Sequence, residues 1–222
     1  MKITNHTKVC ITGAGGMLGS ALLSRFSTRC RLLATSARSE KNIKELDVRR
    51  QHYVQAAFNS FQPDIVFHLA ALTNPEYCET HPKVAEAINY GGTKTITMLC
   101  KQYNIPVVYV SSSGIFDGTK TWYTERDTPH PITVYGKTKW MAEQFIRKLP
   151  RSYIFRAGWM IGGKEKDKKF VGAIMGQIMN GREELDAVDD TFGTLSSTED
   201  VVRIMLRVIE SESYGLYHVA RR

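Results

Sequence analysis

Short unbroken apolar runs alternate along this chain with longer stretches in which apolar positions recur every three or four residues. The runs "KVCIT" (8–12), "RLLAT" (31–35), "DIVFHLA" (64–70), "PVVYVSS" (106–112) and "SYIFRA" (152–157) are rich in β-branched and aromatic residues. A strand covered on both faces has this pattern, whereas a half-exposed strand alternates apolar and polar positions. Between the runs, three-to-four spacing predicts helices near 17–26, 49–61, 81–103, 134–149, 169–180 and 198–210. The order is β-α-β throughout. It predicts an α/β fold with a doubly wound parallel sheet, helices on both faces, and a ligand crevice at the carboxyl ends of the strands.

Length and composition narrow this only a little. With 222 residues, 42% of them hydrophobic and 23% charged, the chain supports one sizeable core and a small appendage. No apolar run approaches the 18 or so residues of a membrane helix, and the first turns carry Arg25 and Arg29 instead of a secretory pattern, so a cytoplasmic protein without membrane contact is expected. Cys10, Cys30, Cys78 and Cys100 form no CxxC, which suits reduced thiols and no metal. The net charge of +8 is densest in "KEKDKK" (164–169) and at Arg221 and Arg222. It lacks the aromatic interleaving of a nucleic-acid surface, so no nucleic-acid partner is expected; attraction of anionic cofactor and substrate is the milder expectation.

The first run opens into "TGAGGMLGS", with Gly13, Gly16 and Gly19 at three-residue spacing and Met17 and Leu18 inside the turn. In a strand-turn-helix context the first glycine allows a sharp turn, the second lets backbone approach a pyrophosphate, and the third lets the helix pack closely on the sheet. The helix N-terminus then offers N–H groups to phosphate. This predicts a Rossmann-type dinucleotide domain over residues 1–157, with 158–222 contributing part of a substrate-binding lobe interleaved with that core. After the second run, where an NAD site places a carboxylate, the chain reads "ATSARS". Ser36 and Arg38 suit a 2′-phosphate, so NADPH is favoured and NADH stays open; Asp47, followed by Val48 in "ELDV", is a candidate partner for the adenine amine.

The fourth run delivers Ser111, Ser112 and Ser113 to the carboxyl edge, and Tyr135 and Lys139 follow one helical turn apart in "YGKTK". A second Tyr/Lys pair at this spacing, Tyr90 and Lys94, precedes the serines, so order in the chain favours Tyr135. A phenol titrates near 10 and needs a cation to lower it for proton transfer at neutral pH. The expected division of labour gives Tyr135 the proton, Ser112 a hydrogen bond to the same oxygen, and Lys139 the lowering of the phenol and a hold on the nicotinamide ribose. His68 reads as a packed core histidine; Glu125 and Asp127 read as surface loop residues.

These motifs, with "DIVFHLAA", "AINYGGT" and "VSSSGIFDG", run in order across residues 8–200 and resemble the extended short-chain dehydrogenase/reductase family. "FDG", "PITVYGKTKWMAE", "FRAGWMIGG", "KKFV" and "VDDTFGTLSSTEDVV" are most similar to its dTDP-4-dehydrorhamnose reductase branch. The resemblance implies that Leu69, Ala70 and Ala71 line the dinucleotide, that Asn89 supports the helix bearing Tyr135, and that Thr73 and Ser113 lie toward substrate. For Trp159, substrate contact and simple packing both stay open. It further implies an NADPH-dependent reduction of a nucleotide-linked 4-keto-6-deoxysugar, in a soluble protein for which a homodimer is one assembly to test. The chain departs from the branch at Ser112-Ser113-Gly114 and at Gly193-Thr194-Leu195-Ser196, and members extend about 60–70 residues past a segment like "GLYHVA". A fragment or a reduced substrate lobe is therefore expected. Two other functions stay open: an epimerase or dehydratase of sugar nucleotides, and a non-catalytic NADP-binding subunit resembling the regulatory β subunit of methionine adenosyltransferase.

Overall fold

A computed structural model of the chain describes residues 1–163, 166–167, 170–185 and 192–220; the Arg221 and Arg222 pair and much of the "KEKDKK" cluster lie outside the described residues. The strands are β1 (Lys8–Thr12), β2 (Arg31–Ser36), β3 (Lys44–Glu45), β4 (Ile65–His68), β5 (Val107–Ser112), β6 (Ser152–Ala157), β7 (Trp159–Ile161), β8 (Leu195–Ser197) and β9 (Gly215–Val219). The helices are α1 (Met17–Phe26), α2 (Gln51–Phe61), α3 (Pro75–Thr80), α4 (Pro82–Glu86), α5 (Thr93–Gln102), α6 (Val134–Ile146), α7 (Phe170–Met179) and α8 (Thr198–Glu210).

Among the described residues, seven strands form one sheet in the order β3-β2-β1-β4-β5-β6-β9, and every pairing in it is parallel. This is the Rossmann-type doubly wound sheet that the apolar runs predict. Because side chains alternate along a strand, Val9 and Ile11 of β1 join Leu22, Phe26, Val201 and Met205 beneath α1 and α8. Cys10 faces the other way, into Val54, Phe58, Ile96 and Ile146 beneath α2, α5 and α6. Strand order reverses between β1 and β4, which places the crevice where β1, β4 and β5 end. No helix among the described residues is long and apolar enough to cross a membrane.

Three local features differ from the sequence expectation. The helix expected over 81–103 is three pieces, α4, a π-helical turn at Ala87–Gly92 and α5. Val48 presses on that turn: a Cβ on Gly92 would sit 2.5 Å from its Cγ2. α3 is an additional helix, started by Pro75 and capped by Asn74, whose Oδ1 accepts from Tyr77 N at 2.8 Å. β3, β7 and β8 are two or three residues long, too short for any periodicity to announce them. After β7 and β8 pair with each other, α8 and β9 return the chain to the main sheet, where β9 runs beside β6.

Candidate active site

At the phosphate end, Gly13 has φ +71°, and a Cβ there would lie 2.6 Å from Ala70 N. A Cβ on Gly19 would lie 2.5 Å from the carbonyl oxygens of both Gly13 and Ala14. Backbone leaves no room for a side chain at either position, so the turn and the Leu69–Ala71 wall approach as only glycine permits. Gly16 precedes α1 without a side-chain cap, and Met17 and Leu18 form its first turn. The N–H groups of that turn are thereby left for an anion, and the cradle fits a dinucleotide pyrophosphate. Leu69 N donates to Thr12 O at 3.0 Å and Ala70 N to Thr12 Oγ1 at 3.4 Å, which ties the wall to β1.

At the ribose end, Ser36 closes β2 and Arg38 is exposed just beyond it. Asp47 is engaged by its neighbour: Arg49 Nε donates to Oδ1 at 3.0 Å and Oδ2 at 2.9 Å, and Nη2 donates to Oδ2 at 2.6 Å. These hydrogen bonds hold the Asp47 carboxyl below the usual range. The carboxylate keeps further acceptor sites beyond those that Arg49 fills, and Val48 beside it is buried. Sequence reasoning missed a different carboxylate. Glu40, past the end of β2, puts Oε1 2.7 Å from where a Gly15 Cβ would be, and Ser36 Oγ is 3.3 Å from the same point.

At the reacting end, Ser112 ends β5 and α6 begins above it. Thr133 Oγ1 caps α6 by accepting from Gly136 N at 3.0 Å. A Cβ on Gly136 would stand 2.1 Å from Gly114 O, so the helix start lies directly on the turn Ser113–Ile115. That contact brings the Tyr135 phenol into the neighbourhood of the Ser112 hydroxyl, which accepts from Gly114 N at 3.1 Å. Burial raises the Tyr135 phenol above its ordinary value of 10.0, with the neighbouring Ser112 hydroxyl acting in the opposite direction. Lys139, itself buried, donates from Nζ to Val110 O at 2.7 Å and sits 4.2 Å from the Tyr109 ring centroid. Tyr135 is consequently fully protonated at neutral pH, as a proton donor must be. The second pair goes elsewhere: Tyr90 meets Phe145 edge-on and Lys94 Nζ lies 6.0 Å from the same ring.

Thr73, Ser113 and Trp159 are exposed beyond the ends of β4, β5 and β6. The Trp159 indole packs over Gly193, where a Cβ would come within 2.6 Å. Glu125 is less free than its loop suggests, because its Oε1 accepts from His218 N of β9 at 2.7 Å. Asp127 pairs with Lys120.

A buried hydrogen-bond chain runs beneath both ends of the site. Thr93 Oγ1 donates to Asn89 O at 2.5 Å, so it accepts from His68 Nε2 at 2.9 Å, and His68 Nδ1 accepts from Thr12 Oγ1 at 2.7 Å. Asn89 continues the connection. Its Oδ1 accepts from Leu72 N at 2.7 Å, its Nδ2 donates to Thr138 Oγ1 at 3.0 Å, and Thr138 Oγ1 donates to Tyr135 O at 2.8 Å. The wall at Ala70–Leu72 and the helix bearing Tyr135 are thus fixed by one network in which His68 is neutral. Burial, then the charge of Lys139, lowers His68 from 6.5 to about 3.

An unfolded chain protonates His68 below about 6.5 and the folded chain only near 3, so the unfolded state binds more protons between these values and stability falls as pH drops through that window. Urea unfolding at pH 7 and pH 4.5 is expected to show a loss about 2 kcal/mol larger for the natural chain than for His68→Gln, whose side chain does not titrate. Equal losses in the two proteins would assign the acid sensitivity to other groups.

Comparison with known proteins follows from this geometry. The family model described as the RmlD substrate binding domain matches residues 7–222. The chain is 30% identical over 222 residues to the dTDP-4-dehydrorhamnose reductase of Aggregatibacter actinomycetemcomitans, a match covering 95% of this chain and 72% of that protein. It is 28% identical over 222 residues to methionine adenosyltransferase 2 subunit beta of Xenopus laevis, covering 95% of this chain and 66% of that one. Among solved structures, the dTDP-4-dehydrorhamnose reductase of Bacillus anthracis, crystallised with NADP, superposes with a TM-score of 0.84 at 28% identity, covering 97% of this chain and 75% of that one.

Proposed function

The chain belongs to the RmlD substrate-binding domain family of extended short-chain dehydrogenase/reductases, and on that premise we propose that it is an NADPH-dependent oxidoreductase that reduces a nucleotide-linked 4-keto-6-deoxysugar. The observation that carries this reading is the half-buried Tyr135 phenol beside Ser112 at the carboxyl edge, with buried Lys139 one turn below.

NADPH bound on the glycine turn would supply the hydride. The chain's own work is to receive the charge that develops on the carbonyl oxygen. Tyr135 gives its proton to that oxygen, and Ser112 donates a hydrogen bond to it, so that charge is met by two groups already in position before reaction. Lys139 places a fixed positive charge beneath the phenol and favours the phenolate left after transfer. Leu69, Ala70 and Ala71 form the wall beside the cofactor. Thr73, Ser113 and Trp159 are placed to meet substrate, and residues 158–222 contribute to the lobe that binds it.

A second reading is supported by the match to the methionine adenosyltransferase subunit: a non-catalytic NADP-binding partner on the same scaffold. Turnover separates the two. Loss of NADPH absorbance on mixing with dTDP-4-keto-6-deoxyglucose or its rhamnose-series epimer, with stoichiometric formation of the reduced sugar nucleotide, is the expected result. Tight NADPH binding with no consumption of either sugar would instead favour the binding partner.

A further inference from the structure

The ribose end of the cofactor site contains a conflict of charge that the glycine turn and Ser36 alone do not resolve. A carboxylate beside the adenosine ribose accepts a hydrogen bond from a free 2′-hydroxyl and so suits NADH, whereas it repels a 2′-phosphate, which is doubly charged near neutral pH. Glu40 is such a carboxylate. It shares with Ser36 Oγ the space over Gly15, at 2.7 Å and 3.3 Å from the position a Cβ would take there. Its backbone is pinned: Glu40 N donates to Ile43 O at 3.2 Å, and Ile43 N donates to Glu40 O at 2.9 Å.

The Glu40 carboxylate is met by a residue distant in the chain. Lys166 Nζ donates to Oε2 at 2.6 Å across a sequence separation of 126 residues. Lys166 is itself held in a turn, its N donating to Gly163 O at 3.0 Å. Gly163 in turn seats against the start of α1, where a Cβ would come 3.1 Å from Met17 Cα. Gly163, whose carbonyl accepts from Lys166 N, therefore rests on the same helix N-terminus that the glycine turn opens.

We propose that the Glu40–Lys166 pair sets the dinucleotide preference of this protein: Lys166 neutralises Glu40 and, with Ser36 and Arg38, makes the ribose end accept a 2′-phosphate. This rests on reading the glycine turn as a dinucleotide site. Glu40 without Lys166 is the carboxylate of an NADH site; Glu40 with Lys166 is a buttress that holds a cation beside the phosphate.

Calorimetric dissociation constants for NADPH and NADH, measured on the natural chain, Lys166→Met, Glu40→Gln and the double variant, test this without any turnover. Lys166→Met is expected to weaken NADPH about tenfold while leaving NADH within about twofold. Glu40→Gln is expected to weaken NADH and leave NADPH unchanged or tighter. The double variant should recover most of the NADPH affinity lost in Lys166→Met, because no uncancelled carboxylate remains. Both side chains are about two-fifths exposed, so the variants should fold as the natural chain does, and melting temperatures taken alongside check this. A ratio of NADPH to NADH affinity that is the same in Lys166→Met as in the natural chain overturns the proposal and leaves the reductase reading standing. A natural chain that binds neither dinucleotide overturns that reading, and the proposal with it.

Discussion

Replacing Tyr135 by Phe is expected to lower kcat for the keto-sugar nucleotide by about 10²- to 10⁴-fold, the range a positioned general acid contributes, with NADPH affinity within about twofold of the natural chain. The substitution removes one oxygen and little volume. The ring that lies on Gly114, 3.7 Å from where a Cβ would be, stays in place, as does the helix start set by Gly136 against Gly114 O. What is lost is the phenol proton beside Ser112. Because burial raises the phenol, the natural enzyme should keep its activity through neutral pH and lose it only on the alkaline side, as the phenol itself ionises. Single-turnover hydride transfer with pre-bound NADPH separates the chemical step from binding. A variant that retains near-natural kcat would remove Tyr135 from the reaction and return the site to the binding-partner reading.

The largest effect on stability is expected from Arg156→Met. Arg156 and Glu143 are almost completely buried, with side chains 2% and 0% exposed. Arg156 Nη2 donates to Glu143 Oε1 at 2.6 Å and Nε to Oε2 at 3.1 Å, while the guanidinium lies 5.2 Å from the Phe116 ring centroid and Nη1 is 3.2 Å from His218 Nε2. The pair therefore joins α6 to β6, and its outer contacts reach β9 and the loop that follows β5. A buried pair is not worth much against well-packed apolar residues, but breaking one side leaves a carboxylate without a partner, at a cost of about 3–5 kcal/mol. At about 2–4 °C per kcal/mol for a chain of this size, Arg156→Met should lower the melting temperature by roughly 6–20 °C. The double variant Glu143→Leu/Arg156→Met should recover most of that loss. Thermal and urea unfolding of the natural chain, Arg156→Met, Glu143→Leu and the double variant form a double-mutant cycle. If the single and double variants fall by similar amounts, the loss comes from packing around the guanidinium and not from the stranded charge.

His68 was legible as a buried, hydrogen-bonded histidine, but the direction of its bonds came only from Thr93, whose single proton is already given to Asn89 O. For Asp47 the sequence did not announce its partner. Its place near the adenine end followed from chain order, yet Arg49, two residues on, takes both carboxylate oxygens. The Tyr/Lys spacing occurs twice in the chain, and four residues on a helix says only that two side chains share a face. What separates the pairs is where each face points: Tyr90 and Lys94 meet Phe145, whereas Tyr135 meets Ser112.

The sequence by itself determined the parallel sheet, the glycine turn and the placing of Tyr135 after the serine-bearing strand. These depend on hydrophobic period, on backbone conformations open only to glycine, and on the order of elements, all of which are local or one-dimensional. The tertiary structure alone decided the raised phenol, the seat of Lys139 at Val110 O, the buried Arg156–Glu143 pair and the meeting of Lys166 with Glu40. Desolvation and charge pairing depend on which residues become neighbours in space, and chain closure brings together groups whose separation along the sequence carries no trace of the contact.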